Sequence, residues 1–212
     1  YFITSYYTPG TAIWDTKTNK LMYYINPENS DNYRASFVAI SPDGKYILMA
    51  YYKDENRYIA VYDYFEKKQI ATIPCPFRIT CLRYSHDGKT FAAGGYRNVG
   101  GFPDPVEKHD QVMLFDAENW KQIKLLEDTV GQGEGMKSLK YSFDDTRIAF
   151  SIFSPFQFKI VDINSKITLY QLSRPNKRTH CAGFDFFPKS DNYFVGYLDK
   201  STDVYDLAVF NK

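Results

Sequence analysis

Residues able to do chemistry are few in this sequence, and their spacing argues against most catalytic uses. Three histidines are present: His86, His109 and His180. His86 lies in Ser85-His86-Asp87-Gly88, where a hydroxyl, an imidazole and a carboxylate are consecutive. A Ser-His-Asp relay needs side chains that converge in space in defined roles. Three adjacent residues ahead of a glycine read instead as a tight hairpin turn, because Gly accepts positive φ and Asp bonds the nearby backbone. Ser41-Pro42-Asp43-Gly44 writes the same turn with Pro in place of the imidazole. His109-Asp110 would begin a metal site, but no second His or Cys stands at ligand spacing beside it. The carboxylate pairs Asp54-Glu55 and Asp144-Asp145 fall in turns and read as solvated. The glycines from Gly131 to Gly135 lack the following helix that a phosphate-binding loop requires, and read as flexible linker. Neither GxSxG nor HExxH occurs. The expectation is a non-catalytic chain with no cofactor and no metal.

Composition narrows the class further. The 26 basic and 25 acidic residues leave a net charge of +1, so no basic stripe for nucleic acid is expected. Cys75, Cys81 and Cys181 form no CxxC pair, and their odd number in a chain of 212 residues argues for a reducing compartment. Cytoplasm or nucleus is the expected location, a cytoskeletal assembly among the settings. No apolar run approaches the roughly 18 residues needed to span a bilayer. The start, YFITSYYTPG, lacks a signal-peptide pattern and an initiator Met, so the chain is expected to be a piece of a longer protein. Aromatics make up 18% of the residues and suit pleated, half-buried surfaces.

The elements that position these residues repeat. The turn at Ser41 recurs at Ser85 and, degraded, at Ser142-Phe143-Asp144-Asp145 and Phe187 to Asn192. Each copy sits between two short apolar strands. A second phrase, an apolar residue followed by Asp, closes the next strand: Trp14-Asp15, Tyr62-Asp63, Phe115-Asp116, Val161-Asp162 and Tyr205-Asp206. The Asp-to-Asp steps are 48, 53, 46 and 44 residues. Polar turn residues and a fourth strand follow. Four short antiparallel strands repeated at about 45 residues predict the blades of a β-propeller. A sandwich also spaces its strands evenly, but it would not need the same turn and the same ending at every fourth strand.

On these motifs the chain resembles the WD-repeat β-propeller family, with Trp14-Asp15 its one literal Trp-Asp pair. The resemblance implies that the aromatic of each pair packs between blades and that the Asp anchors the turn into the fourth strand. Those roles carry to Trp14, Asp15, Tyr62, Asp63, Phe115, Asp116, Tyr205 and Asp206; Asp162 keeps the carboxylate beside a non-aromatic Val161. The family's Gly-His pair ahead of each first strand is absent, so its buried hydrogen-bond network is not expected here. TolB-like and dipeptidyl-peptidase-like propellers use similar turns and remain rivals within the architecture. The predicted fold is all-β, with five repeats near 1–29, 30–76, 77–130, 131–174 and 175–212. The first repeat lacks its opening strand and the last its closing one. That pattern predicts part of a longer propeller, with an imperfectly closed five-bladed ring as the lesser reading.

Function then lies in loops rather than in the fold. The segment Arg97 to Asp110 is far longer than its counterparts and is predicted to be a long loop, with Phe102 exposed on it. Family geometry puts this loop on the same face as the long polar linkers between blades, Asn26 to Ala35, Glu127 to Met136 and Ser173 to Cys181. One linker carries Arg174, Lys177 and Arg178. Arg97, Phe102, His109, Arg174, Lys177 and Arg178 are therefore the candidate partner-binding residues. The expected function is a scaffold that binds other proteins in a multi-subunit assembly. The alternative is the propeller part of a multidomain hydrolase whose catalytic domain lies outside these residues.

Overall fold

The computed structural model describes residues 2–6, 10–25, 34–53, 56–100, 107–131, 136–152, 157–173, 179–187, 193–199 and 204–210. Among them every regular element is a β-strand, and the strands form five antiparallel sheets in chain order. The first sheet is β1 (Phe2–Tyr6), β2 (Gly10–Trp14) and β3 (Leu21–Ile25). The second is β4 (Arg34–Ile40), β5 (Tyr46–Lys53), β6 (Asn56–Asp63) and β7 (Lys68–Pro74). The third is β8 (Arg78–Tyr84), β9 (Thr90–Val99), β10 (Glu107–Asp116) and β11 (Gln122–Gly131). The fourth is β12 (Met136–Tyr141), β13 (Arg147–Ile152), β14 (Gln157–Asp162) and β15 (Thr168–Ser173). The fifth is β16 (Thr179–Phe186), β17 (Tyr193–Asp199) and β18 (Val204–Phe210).

Consecutive sheets pack face to face, and the core among the described residues is four apolar clusters, each lying between two neighbours. Along β5, Ile47, Met49 and Tyr51 face the first sheet, while Leu48 and Ala50 face the third. Phe91 and Ala93 face the second sheet and Ala92 the fourth. Middle strands buried on both faces must be apolar at successive positions, which is why they read as continuous hydrophobic runs. Phe91 and Phe115 stack at 5.0 Å between the second and third sheets. Phe158 meets Phe184 edge-on at 5.0 Å between the fourth and fifth. Each such ring contributes about 1.5–3 kcal/mol by leaving water.

Bulges recur at the same place in successive sheets. The pairing of first to second strand shifts between Ala35 and Phe37, Ile79 and Cys81, Met136 and Ser138, and Cys181 and Gly183. The pairing of third to fourth strand shifts at Trp14, Tyr62, Phe115 and Val161. An extra residue in one strand bends it and raises its twist. The β1–β2 ladder has no shift and the β2–β3 ladder has one, so β1 occupies the place of a second strand.

The two turn phrases close by side chain to backbone bonds. Ser41, Ser85 and Ser142 donate from Oγ to Asp43, Asp87 and Asp144, at 2.5, 2.8 and 2.7 Å. The same hydroxyls accept the N–H of Tyr46, Thr90 and Arg147. Gly44 and Gly88 supply the positive φ, and Asp145 takes their place at φ 56°. In the second phrase Asp15 accepts the N–H of Lys17 and Thr18, Asp63 that of Phe65 and Glu66, and Asp116 that of Glu118 and Asn119. Asp162 accepts from the N–H and hydroxyl of Ser165. Tyr62 packs partly buried against the first cluster, Phe115 is buried in the second and Val161 in the third. Trp14 donates from Nε1 to Thr4 Oγ1 at 2.9 Å.

The fifth sheet departs from the expected pattern. Asp63, Asp116 and Asp162 stand opposite Tyr46, Thr90 and Arg147, the first residues of their partner strands. Asp206 stands opposite Tyr197 within β18, and Tyr205 opposite Leu198. The strand continues because Leu207 to Phe210 extends its apolar, β-prone run. Asp206 is therefore not a strand-end turn residue.

Candidate functional site

Both ends of the segment predicted as a long loop from Arg97 to Asp110 are paired strand, and residues 101–106 lie outside the described residues. β9 runs to Val99 and β10 starts at Glu107, with Arg97 opposite His109 and Val99 opposite Glu107. β11 follows the longer ladder out, pairing Val130 with His109 and Gly131 with Lys108. The stretch Glu127 to Gly131, read from sequence as linker, is thus strand. An edge offering unpaired backbone groups recruits whatever chain lies beside it, and Gly131 did not prevent this.

The extension brings together side chains distant in sequence. Asp128 on β11 accepts from two candidates: His109 Nδ1 lies 2.7 Å from its Oδ1, and Arg97 Nη2 donates to its Oδ2 at 3.5 Å. Glu107 Oε2 lies 3.4 Å from His109 Nε2. His109 is largely covered, while Glu107 is exposed. Neither His86 nor His109 is hydrogen-bonded to a hydroxyl or thiol among the described residues. Phe102, Arg174, Lys177 and Arg178 lie outside the described residues.

The opposite face of the same extension is tied to the next sheet. Lys159 on β14 donates to Glu127 Oε1 at 3.0 Å and to Thr129 Oγ1 at 3.2 Å, and Thr129 Oγ1 also donates to Glu127. Lys159 is buried. A buried pair like this holds position more than it stabilises, because desolvation offsets most of the attraction. The polar hairpin is thus fixed from behind.

Residues not singled out in the sequence complete the surface. Arg78 at the start of β8 donates from Nη1 to Tyr96 OH at 3.1 Å and from Nη2 to Tyr52 OH at 3.3 Å. Tyr96 precedes Arg97 on β9, so the two groups lie at the same end of the third sheet, on opposite faces of the strand. The sequence signal was weak: an Arg opening a first strand and a Tyr near the end of two second strands. On the turn side, Asp145 accepts the N–H of His86 and of Asp87, each at 2.8 Å, joining the fourth sheet to the third.

Neither a protein-family model nor a curated protein matches the sequence. Solved structures do match in shape. The Kuenenia stuttgartiensis hydrazine synthase aligns with a TM-score of 0.68 at 13% identity, over 95% of this chain and 56% of that one. The β-propeller domain of Myceliophteria thermophila Cps50 (Swd1) aligns at 0.62 and 13% identity, over 99% of this chain and 68% of that one. The WD40 repeats of RRP9 align at 0.56 and 14% identity, over 86% of this chain and 55% of that one.

The five sheets are blades of a β-propeller. The chain spans between about half and two thirds of the length of each of these structures. At such identities the likeness shows the fold alone. The structures of this shape include WD40 repeats and a hydrazine synthase, so shape does not choose between binding and catalysis. Among the described residues no helix is long and apolar enough to cross a membrane.

Proposed function

We propose that this chain is a non-catalytic, WD-repeat-like interaction module that binds other proteins through the loop side of its blades, within a larger assembly. One observation carries the reading: the third blade extends its hairpin and immobilises Arg97, His109 and Asp128 on it. Polar side chains held by one another, on a strand pair braced by Lys159 from the next blade, lose little freedom when a partner arrives. Arg and aromatic residues fixed on rigid elements are what an interface uses as anchors. The WD40 repeats among the structural neighbours support the same reading at the level of architecture. Each group is polar and holds an arginine, which suits a wet, specific protein interface better than a deep catalytic cavity.

The test is affinity capture from the native cell with quantitative mass spectrometry, comparing wild type with the triple variant Arg97→Ala, His109→Ala, Asp128→Ala. The expected result is selective loss of a reproducible set of partners by a variant whose circular dichroism and thermal melt match wild type. Recovery of the same partners in the same amounts by both would overturn the reading. The hydrolase alternative is tested by the full-length chain, where an adjoining α/β segment carrying GxSxG would favour it.

A further inference from the structure

Arg78 is a charged group held in place without being neutralised. It is exposed, and its guanidinium carbon lies 5.2 Å from the Tyr52 ring centroid and 5.9 Å from that of Tyr96. Its two hydrogen bonds go to the phenol oxygens of these residues, one on the second blade and one on the third. Phenols are neutral at physiological pH, so they orient the guanidinium and leave its charge intact. Three of its five N–H groups have no acceptor among the described residues. Arg97, Lys140 and Lys159 differ, being paired with Asp128, Asp185 and Glu127.

The position is built by the backbone. A side chain on Gly95 would collide with the Arg78 carbonyl and the Phe77 ring, so only a glycine lets the start of β8 lie this close to β9. The bulge between Ile79 and Cys81 then re-aims the strand end.

We propose that Arg78, clasped by Tyr52 and Tyr96, anchors an Asp or Glu carboxylate of a protein partner docking on the loop side; this rests on the interaction reading above. The guanidinium fork matches a carboxylate bidentately. The Tyr96 oxygen accepts from Arg78 and its O–H can donate to the same anion. A single guanidinium clasped by two phenols presents one positive charge, which matches a monoanion better than a phosphate dianion.

The probe is a fluorescein-labelled hexaglutamate peptide, read by fluorescence polarisation at low salt, where exposed charges are least screened. Wild type is expected to bind it. Arg78→Gln is expected to weaken binding about fivefold or more, and Arg78→Lys and Tyr96→Phe by less. Arg83→Gln, a control on the same strand, is expected to change it less than about twofold. Thermal melts establish that each variant is folded. The inference falls if Arg78→Gln binds like wild type, if Arg83→Gln loses as much, or if a phosphoserine peptide with neutral flanks binds more tightly than hexaglutamate. Loss of partners by the hairpin variant alongside hexaglutamate binding indifferent to Arg78 sinks this inference and leaves the interaction reading standing. Arg78-dependent peptide binding with unchanged partner capture by the hairpin variant does the reverse.

Discussion

Asp145 reaches from the turn of the fourth blade to the turn of the third, where its Oδ1 accepts the main-chain N–H of His86 and lies 2.8 Å from Nδ1 of the same residue. The carboxylate thereby ties down a neighbour's turn, while the main-chain N–H of Asp145 closes its own by donating to the Ser142 carbonyl. It does so from φ 56°, a conformation that Gly would adopt with less strain.

Two effects therefore oppose each other at Asp145. Asp145→Gly relieves the backbone but loses the bonds to His86 and Asp87. Lost bonds to a charged acceptor outweigh relaxation of one residue, so Asp145→Gly is expected to destabilise by about 1–2 kcal/mol and Asp145→Ala by more. Asp145→Asn, which keeps one acceptor, is expected to lie closer to wild type. Urea midpoints at constant m value measure the order; a Gly variant more stable than wild type would refute it.

Gly95→Ala is expected to cost at least about 2–3 kcal/mol, because the obstructing atoms are main chain of Arg78 and cannot rotate away. The same change is expected to weaken hexaglutamate binding by displacing Arg78. Guanidinium chloride unfolding and the polarisation assay read the two consequences separately.

Turn carboxylates govern the acid limit. Main-chain N–H groups hold Asp15, Asp116 and Asp162 below the usual Asp value of 3.8. The Ser41 hydroxyl, then the Lys45 N–H, holds Asp43 down; for Asp87 it is the Lys89 N–H, then the Ser85 hydroxyl. At Asp144 burial pushes upward, but bonds from Ser142 and Thr146 outweigh it. A carboxyl with a depressed folded-state pKa stabilises fully above its unfolded value, and that contribution disappears as pH falls through the folded value. Stability is thus expected to be insensitive to these groups above about pH 5 and to fall below about pH 4. Asp116→Asn is expected to be less stable at neutral pH and to lose less on acidification; equal losses for both proteins would contradict this.

Cys75 and Cys81 are buried, and burial pushes each thiol up to about 12. The thiolate is the reactive form, so iodoacetamide at about pH 8 is expected to spare both until denaturant is added. Site-resolved mass spectrometry follows each residue, and rapid labelling of either in the native protein would show the blade interface to be open.

Lys159→Ala is expected to cost about 3–5 kcal/mol by leaving Glu127 buried without its counter-charge. Lys159→Met combined with Glu127→Gln is expected to recover most of that. A double-mutant cycle by chemical denaturation gives the coupling.

The blade was legible because its signals are local. Ser-x-Asp-Gly and an apolar residue before Asp close turns with bonds spanning two to five residues, and short apolar runs write the strands between them. The candidate site was legible only in part. Arg97 and His109 stood out as polar residues in an over-long segment, but that segment read as loop because its length, not its pairing, is visible in one dimension. Asp128 lay in apparent linker and became strand when the extended β10 offered it an edge.

The sequence by itself therefore determined the repeat, the turns and the two-sided apolar strands, since each depends on neighbours along the chain. Tertiary structure alone decided which charges meet: Asp128 with Arg97 and His109, Lys159 with Glu127, Asp145 with the turn at His86, and Arg78 between tyrosines of two blades. Those meetings join residues up to 59 positions apart, and they depend on how one sheet is seated on the next, which no local preference of the chain encodes.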